Sequence, residues 1–259
     1  MCGVRCAVRG VHDCTGLCRW LSRSARLLVR NRPTSAYCWR VIKAYSAQQL
    51  RGAEAPHLDA GEPLMRRAAA GLADEIRRQL EGTLGPILLL VGSGNNGGDA
   101  LFAGAELARD GTTVWIVQTS DRVHEEALAA AIDAGAVGRD SAEVGALASR
   151  AVVVVDGVLG TGTSADPTLR GVARKIVKAV MAATESATVV AVDIPSGINP
   201  DDGSAPDPVV LAADVTVTFG GYKAGLLIAP GSILAGRVRL IDIGIADDLD
   251  ALEPLLVVP

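Results

Sequence analysis

From Tyr45 onward the chain is organised by six short aliphatic runs: "PILLLVG", "TVWIVQ", "AVVVVDGVLG", "TVVAVDIPSG", "DVTVTFGG" and "RVRLIDIG". The first four are continuously apolar rather than alternating, the pattern of strands covered on both faces. Helical spacing fills several of the intervals, in "DALFAGAELARDG", "HEEALAAAIDAG" and "TLRGVARKIVKAVMAAT". Two more helical stretches come first, "SAQQLRGAEAPHL" and "PLMRRAAAGLADEIRRQL"; in the second, Leu64, Ala68, Leu72, Ile76 and Leu80 recur on one stripe. Pro63 suits that helix's first turn, where its missing N–H is not needed. Strand–helix alternation with right-handed crossovers implies an α/β fold, a three-layer, doubly wound, mostly parallel sheet of Rossmann-like type. "INPDDGSAPDP" is a turn-rich loop between two strands, and neither an internal repeat nor a second-domain linker interrupts the pattern.

Charge and cysteine set the opening segment apart. Residues 1–40 carry eight arginines and one acid, Asp13, a balance of +7. The whole chain is −4, so the remainder is −11. All five cysteines (Cys2, Cys6, Cys14, Cys18, Cys38) lie in this segment, which excludes a disulfide scaffold or a cysteine nucleophile from residues 41–259. Three readings are open for residues 1–40: an extension that the folded domain does not need, an organelle transit segment, or a zinc site, for which the Cys-x3-Cys spacings are unusual. The domain is therefore placed at 41–259. No apolar run reaches the roughly 18 residues of a membrane span, and the acidic balance gives no reason for a nucleic-acid partner.

In open α/β sheets ligands bind beyond the carboxyl ends of the strands, near the point where strand order reverses. The polar residues that follow each aliphatic run are therefore the candidates. The first run ends in "GSGNNGGD", which contains G-x-G-x-x-G (Gly92, Gly94, Gly97). Its backbone N–H groups could approach a phosphate at a helix start. Alone the motif is equally a dinucleotide turn or a tight turn capped by Asp99. A Walker motif is excluded because no Lys-Ser or Lys-Thr closes it. A ribose-binding acid after the second run is poorly placed, Asp121 coming late. Asp156, with Gly157, Gly160 and Gly162, follows the third run; Asp193 and Ser196 follow the fourth. One such acid is usually a cap, but three beside glycines suggest a rim that holds a phosphate-bearing ligand and offers oxygens to a hard cation. Lys223, after the fifth run, is either a solvated charge or a partner for phosphate.

Other chemistries lack parts. His12, His57 and His124 lie away from these loops, so a Ser-His-Asp triad has no base. "IPSGI" is not G-x-S-x-G, so Ser196 is no nucleophile elbow. Without His or Cys at the rim, transition-metal catalysis has no ligands.

Taken in order, "GSGNNGGDAL", "VVDGVLGTG", "VAVDIPSGIN", "ADVTVTFGGYKAGL" and "IDIGI" resemble the NAD(P)HX epimerase family, the YjeF N-terminal domain, from about Tyr45 to Ile245. "LMRRAAAGLA" resembles the family's early helix. The resemblance implies interconversion of the R and S forms of hydrated NADH or NADPH at nicotinamide C6. By this resemblance Asn95, Asn96, Gly97, Gly98 and Asp99 contact the hydrated dinucleotide, as do Gly160, Thr161, Gly162, Thr163, Ser164, Ala165 and Asp166, together with Asp193. Asn96, Asp156 and Ser196 surround one potassium ion per subunit. "GGYKAG" matches mainly through Lys223, whose role is the less specific. A separate ADP- or ATP-dependent dehydratase acting on the same metabolite, a homodimer and a cytoplasmic location are the accompanying expectations, with no nucleic-acid or membrane partner.

The residue inventory suits that chemistry. Nitrogen's lone pair helps expel the C6 hydroxyl, a planar cation forms, and water returning to the other face inverts the centre. Asp193 is expected to protonate the leaving hydroxyl and then deprotonate the incoming water, with Lys223 as the other catalytic candidate. Two rivals stand beside this reading. One is an NAD-dependent oxidoreductase; the other is a non-catalytic module that keeps the pocket.

Overall fold

The computed structural model describes residues 41–162, 166–184 and 186–259. The readings for residues 1–40, and for Thr163, Ser164 and Ala165, lie outside the described residues. In chain order the elements are β1 (Ile42–Tyr45), α1 (Ala47–Asp59), α2 (Leu64–Gln79), β2 (Ile87–Val91), α3 (Asn95–Arg109), β3 (Val114–Gln118), α4 (Glu125–Asp133), β4 (Val137–Gly138), α5 (Val144–Ala148), β5 (Val153–Gly157), α6 (Gly171–Ala183), β6 (Thr188–Val192), β7 (Val215–Phe219), β8 (Tyr222–Lys223), α7 (Gly231–Leu234), β9 (Arg237–Ile241), α8 (Ala246–Asp250) and β10 (Leu256–Val258).

Seven strands form one sheet in the order β4-β3-β2-β5-β6-β7-β9, and every pairing in it is parallel. All six aliphatic runs become strands of this sheet. The three-layer expectation holds because the side-chain period of a strand is two. Ile87, Leu89 and Val91 of β2 join the core built with α2 and α3. Leu88 and Leu90 of the same strand join the core on the other face with α5 and α6. The stripe on α2 buries Leu64, Ala68, Leu72 and Ile76 in the first of these cores, with Leu80 partly buried at its end.

Three features carry no signal in the aliphatic pattern. β4 is two exposed residues, too short for any periodicity. A three-stranded sheet of order β10-β1-β8 is built from short segments that pair antiparallel on one side and parallel on the other. The third feature, the start of α3, bears directly on the site and is described below.

Helix α1 begins at a reciprocal cap: Gln49 N donates to Ser46 Oγ at 3.2 Å, and Ser46 N donates to Gln49 Oε1 at 2.9 Å. Its far end is held by His57, whose Nδ1 lies 2.8 Å from Glu62 Oε1 and whose Nε2 lies 2.8 Å from Asp248 Oδ2 on α8. Hydrogen bonds to these two carboxylates, Asp248 foremost, raise the imidazole pKa above its ordinary value. A raised folded-state pKa stabilises fully below the unfolded value of about 6.5, and the contribution disappears as pH rises through the folded value. The melting-temperature gap between the parent and His57→Gln should therefore be wider at about pH 6 than at pH 8 or above. A gap independent of pH would show that the ring is held by packing alone.

Candidate active site

Strand order reverses between β2 and β5, and the two loops that leave these strands cross in contact. Gly92 N donates to Gly157 O at 3.0 Å. A Cβ on Gly92 would stand 1.9 Å from Val158 O, and one on Gly97 would stand 2.2 Å from Gly92 O. Two glycines of the G-x-G-x-x-G motif are thus required by backbone approach. The third, Gly94, has nothing within 4 Å of an added Cβ.

Gly94 is the N-cap of α3, so the helix begins at Asn95. The sequence places its start at Asp99, because glycine costs roughly 1 kcal/mol in a helix interior and the segment reads as loop. Packing against β5 overrides that propensity. Asp99 is consequently no cap: it lies inside the helix, one turn in from Asn95 and Asn96, and is buried. Gly97 and Gly98 face inward, Gly98 so closely that an added Cβ would meet Met65 Sδ and His124 Cδ2 at 3.1 Å. His124 therefore packs against the motif rather than lying away from it, though its Nδ1 accepts from Ala127 N and caps α4.

Two further strand ends converge on Asn96. Its Nδ2 donates to Leu159 O at 3.2 Å, beyond β5, and to Val192 O, at the end of β6. Room for the carboxamide exists because residue 160 is glycine; a Cβ there would stand 2.1 Å from Asn96 Oδ1. Next to it, Asp156 is wholly buried. Ser196 N donates to its Oδ2 at 2.8 Å and Ser196 Oγ to its Oδ1 at 2.6 Å. Leu159 N donates in turn to Ser196 Oγ at 2.8 Å. Burial pushes the Asp156 carboxyl pKa up, against the pull of the Ser196 and Val158 hydrogen bonds.

Asp193 sits one residue past β6 with φ +67°, the one non-glycine residue of positive φ among the described residues. Aspartate tolerates this region better than most residues, and such outliers concentrate at functional sites. The turn brings its Oδ1 to Phe219 N and Thr218 Oγ1, each at 3.2 Å, and into an ion pair with Lys223 Nζ. Lys223 spends its other donors on Thr218 Oγ1 and Phe219 O, each at 3.0 Å. The lysine is 2% exposed. Instead of facing a phosphate or solvent, it is the buried counter-charge of Asp193.

These residues back onto two adjoining cavities that share Glu54, Asn95, Asn96 and Thr161. The inner cavity, about 110 Å³, has an apolar wall that includes Leu64, Met65 and Phe219, and a polar side of Glu54, Asn96, Asp99 and Asp193. The outer cleft, about 510 Å³, runs along the Gly94 and Gly160–Gly162 loops and carries Arg51 and Arg170. Asp166 borders it and pairs with Arg170. Among the described residues the inner end carries acids and no basic residue, and the outer cleft carries both arginines together with Glu54 and Asp166. That arrangement can seat an anionic group at the arginines of the outer cleft and stabilise positive charge beside the acids within.

Among the sequence candidates, Asn95, Asn96, Asp99, Gly160, Thr161, Gly162, Asp166 and Asp193 line one or both spaces. Gly97, Gly98, Asp156, Ser196 and Lys223 support the lining from behind. Glu54, Arg51 and Arg170 were not foreseen, because none follows an aliphatic run. Arg51 and Glu54 are three apart on α1 and so share a face; Arg51 Nη1 donates to Thr161 O at 2.8 Å. Only the docking of α1 reveals that this face looks onto the site.

Residues 61–225 match the family model described as "YjeF-related protein N-terminus". A curated relative from Clavibacter sepedonicus, named NAD(P)H-hydrate epimerase, is 52% identical over 223 residues, covering 83% of this chain and 95% of that protein. The bifunctional NAD(P)H-hydrate repair enzyme of Mycobacterium tuberculosis is 44% identical over 210 residues, 78% of this chain and 41% of that longer protein. The crystal structure of yeast ynu0 shares the fold with a TM-score of 0.63 at 21% identity, over 71% of this chain and 83% of that one. With its strand order, its crossed glycine loops and these relatives, the chain belongs to the family of the YjeF-related protein N-terminus.

Proposed function

We propose that this chain is an isomerase that interconverts the R and S hydrates of NADH and NADPH at nicotinamide C6. One observation carries the reading: an acid-lined, apolar-walled pocket joins a glycine-loop cleft bearing arginines at the reversal of strand order. The outer cleft takes the diphosphate, where backbone N–H groups at the start of α3 favour anions. The inner pocket takes the hydrated ring, and the carboxylates stabilise the planar cation formed when hydroxide departs with nitrogen's help. Asp193 exchanges protons with the oxygen at C6, and Lys223 keeps its carboxylate aimed through their ion pair.

Asn96, Asp156 and Ser196 suit a potassium ion by their chemistry. The Asn96 carboxamide contacts Leu159 O and Val192 O, and Leu159 N donates to Ser196 Oγ, which in turn donates to Asp156 Oδ1. One carboxylate among neutral oxygens favours a hard, singly charged cation, and no group of three His, Cys, Asp or Glu among the described residues could hold a more demanding metal. When bound, the ion would supply positive charge beside the ligand. Asn96, Asp156 and Ser196 would hold it. The product feeds a separate dehydratase acting on the same hydrate. The reading also includes a homodimer and a cytoplasmic location, neither of which the site's geometry depends on.

The test is direct. Purified S and R hydrates of NADH are each mixed with the protein, in potassium and in lithium buffer, and their equilibration is followed by chromatography. Both should reach one common ratio far faster than in buffer alone, and faster with potassium. Equilibration no faster than buffer, together with tight binding or oxidation of intact NADH, would overturn the reading in favour of a binding module or an oxidoreductase.

A further inference from the structure

Interconverting two epimers by expelling and re-adding water requires proton transfer on both faces of the ring, because the leaving oxygen and the entering oxygen lie on opposite sides. Asp193 offers one carboxyl group, already bound by Lys223, Thr218 and the Phe219 N–H. The inner cavity has two more, Glu54 from α1 and Asp99 from α3. Among the described residues neither accepts a hydrogen bond from the protein. Asp99 is 6% exposed, so an ionised carboxylate there would forgo water without gaining a donor. Burial first, and then the charges of Asp193 and Glu54, push its pKa well above the usual carboxylate range. Burial also raises that of Glu54. Glu54 differs in position: it borders both the inner cavity and the open outer cleft.

Resting on the epimerase reading, we infer that Asp99 is the acid opposite Asp193 and that Glu54, at the junction of the two cavities, is the positioning residue that returns its proton from solvent. The step balances. The C6–O bond breaks with its electron pair on oxygen, which takes the Asp99 proton and leaves as water. The lone pair of N1 forms the C6–N1 double bond. Water then adds to the other face, the π electrons return to N1, and the proton released goes to Asp193. One proton has moved from Asp99 to Asp193; Glu54 reloads the first, and Asp193 gives its proton up to solvent. The anion left on Asp99 faces the ring cation at the moment it forms, which lowers the barrier without a separate counter-ion. The same groups run the reverse direction with roles exchanged, so both directions must slow equally when either is lost.

The experiment compares Glu54→Gln and Asp99→Asn with the parent full chain, from both epimers, over a range of imidazole concentrations. In Glu54→Gln, kcat should fall about 10²-fold, the low end of general acid–base assistance, with KM changed far less. Imidazole, as a small proton carrier, should restore kcat in that variant in proportion to its concentration and leave the parent unchanged. Asp99→Asn should lose at least as much, and imidazole should not restore it, because the carboxyl group is sealed from solvent. Glu54→Asp keeps the acid with a shorter reach and should fall in between, which preserves the test if the glutamine variant unfolds. If the parent equilibrates the hydrates but Glu54→Gln, or Glu54→Asp in its place, retains turnover within about threefold and shows no imidazole dependence, the relay is wrong while the epimerase reading stands. A parent that does not equilibrate them overturns both.

Discussion

Asp193→Asn should abolish most turnover, lowering kcat by about 10²–10⁴-fold, the range expected when a general acid–base group is removed. The same substitution should also destabilise the protein, since it leaves the Lys223 ammonium buried beside a neutral amide. Breaking a buried pair by removing one partner costs about 3–5 kcal/mol. The two effects separate in the double variant Asp193→Asn, Lys223→Met, which removes the stranded charge. Thermal stability should recover towards the parent and turnover should not. Recovery of turnover to within about tenfold, against the 10²–10⁴-fold loss expected, would mean that Asp193 serves only to neutralise the buried charge of Lys223. The assignment of proton transfer to Asp193 would then have to move to another group.

The second large effect concerns the glycine motif, where three glycines that look alike in sequence should behave differently. Gly97→Ala drives a methyl to 2.2 Å from the Gly92 carbonyl, and Gly92→Ala drives one to 1.9 Å from the Val158 carbonyl. Both obstacles are backbone, which cannot rotate aside as a side chain can. A loss on the order of 3 kcal/mol is expected for either, or a fall of roughly 6–12 °C in melting temperature for a domain of this size. Gly94→Ala meets nothing within 4 Å, and its φ of −97° is ordinary for alanine. The poorer alanine cap and the less flexible unfolded chain nearly cancel, so stability should shift by less than about 1 kcal/mol. Equal losses in all three variants, measured by thermal denaturation, would show that the crossing of the two loops does not set which glycines the motif requires.

Gly160→Ala belongs to neither class, because the atom it meets is the side-chain Oδ1 of Asn96. The same geometry explains why a family resemblance carried on short motifs reaches beyond the residues that touch ligand. "GTG" after β5 and "NN" at the start of α3 match because one vacates the space that the other occupies.

The layered fold could be read directly. Continuous aliphatic runs such as "ILLLV" and "VVVV" can be satisfied only by cover on both faces, and the periodic stripe on α2 supplies such cover on one of them. The carboxyl-end rule then placed Asn96, Asp156, Asp193 and Ser196 at one edge without coordinates, since strand direction alone decides which end of each run faces the ligand. What the tertiary structure decided is which polar groups have partners. Lys223 reads in sequence as a solvated charge or a partner for phosphate, yet the positive-φ turn at Asp193 and the end of β7 close around it. Asp99 reads as a helix cap, yet the helix starts a turn earlier because Gly92 and Gly97 touch. Glu54 lies some 140 residues before Asp193, on a helix whose own pattern says only that it has two sides. Local periodicity specifies which face of an element seeks apolar cover; what meets the polar face depends on docking between distant segments, and that is where this site acquires its second and third carboxyl groups.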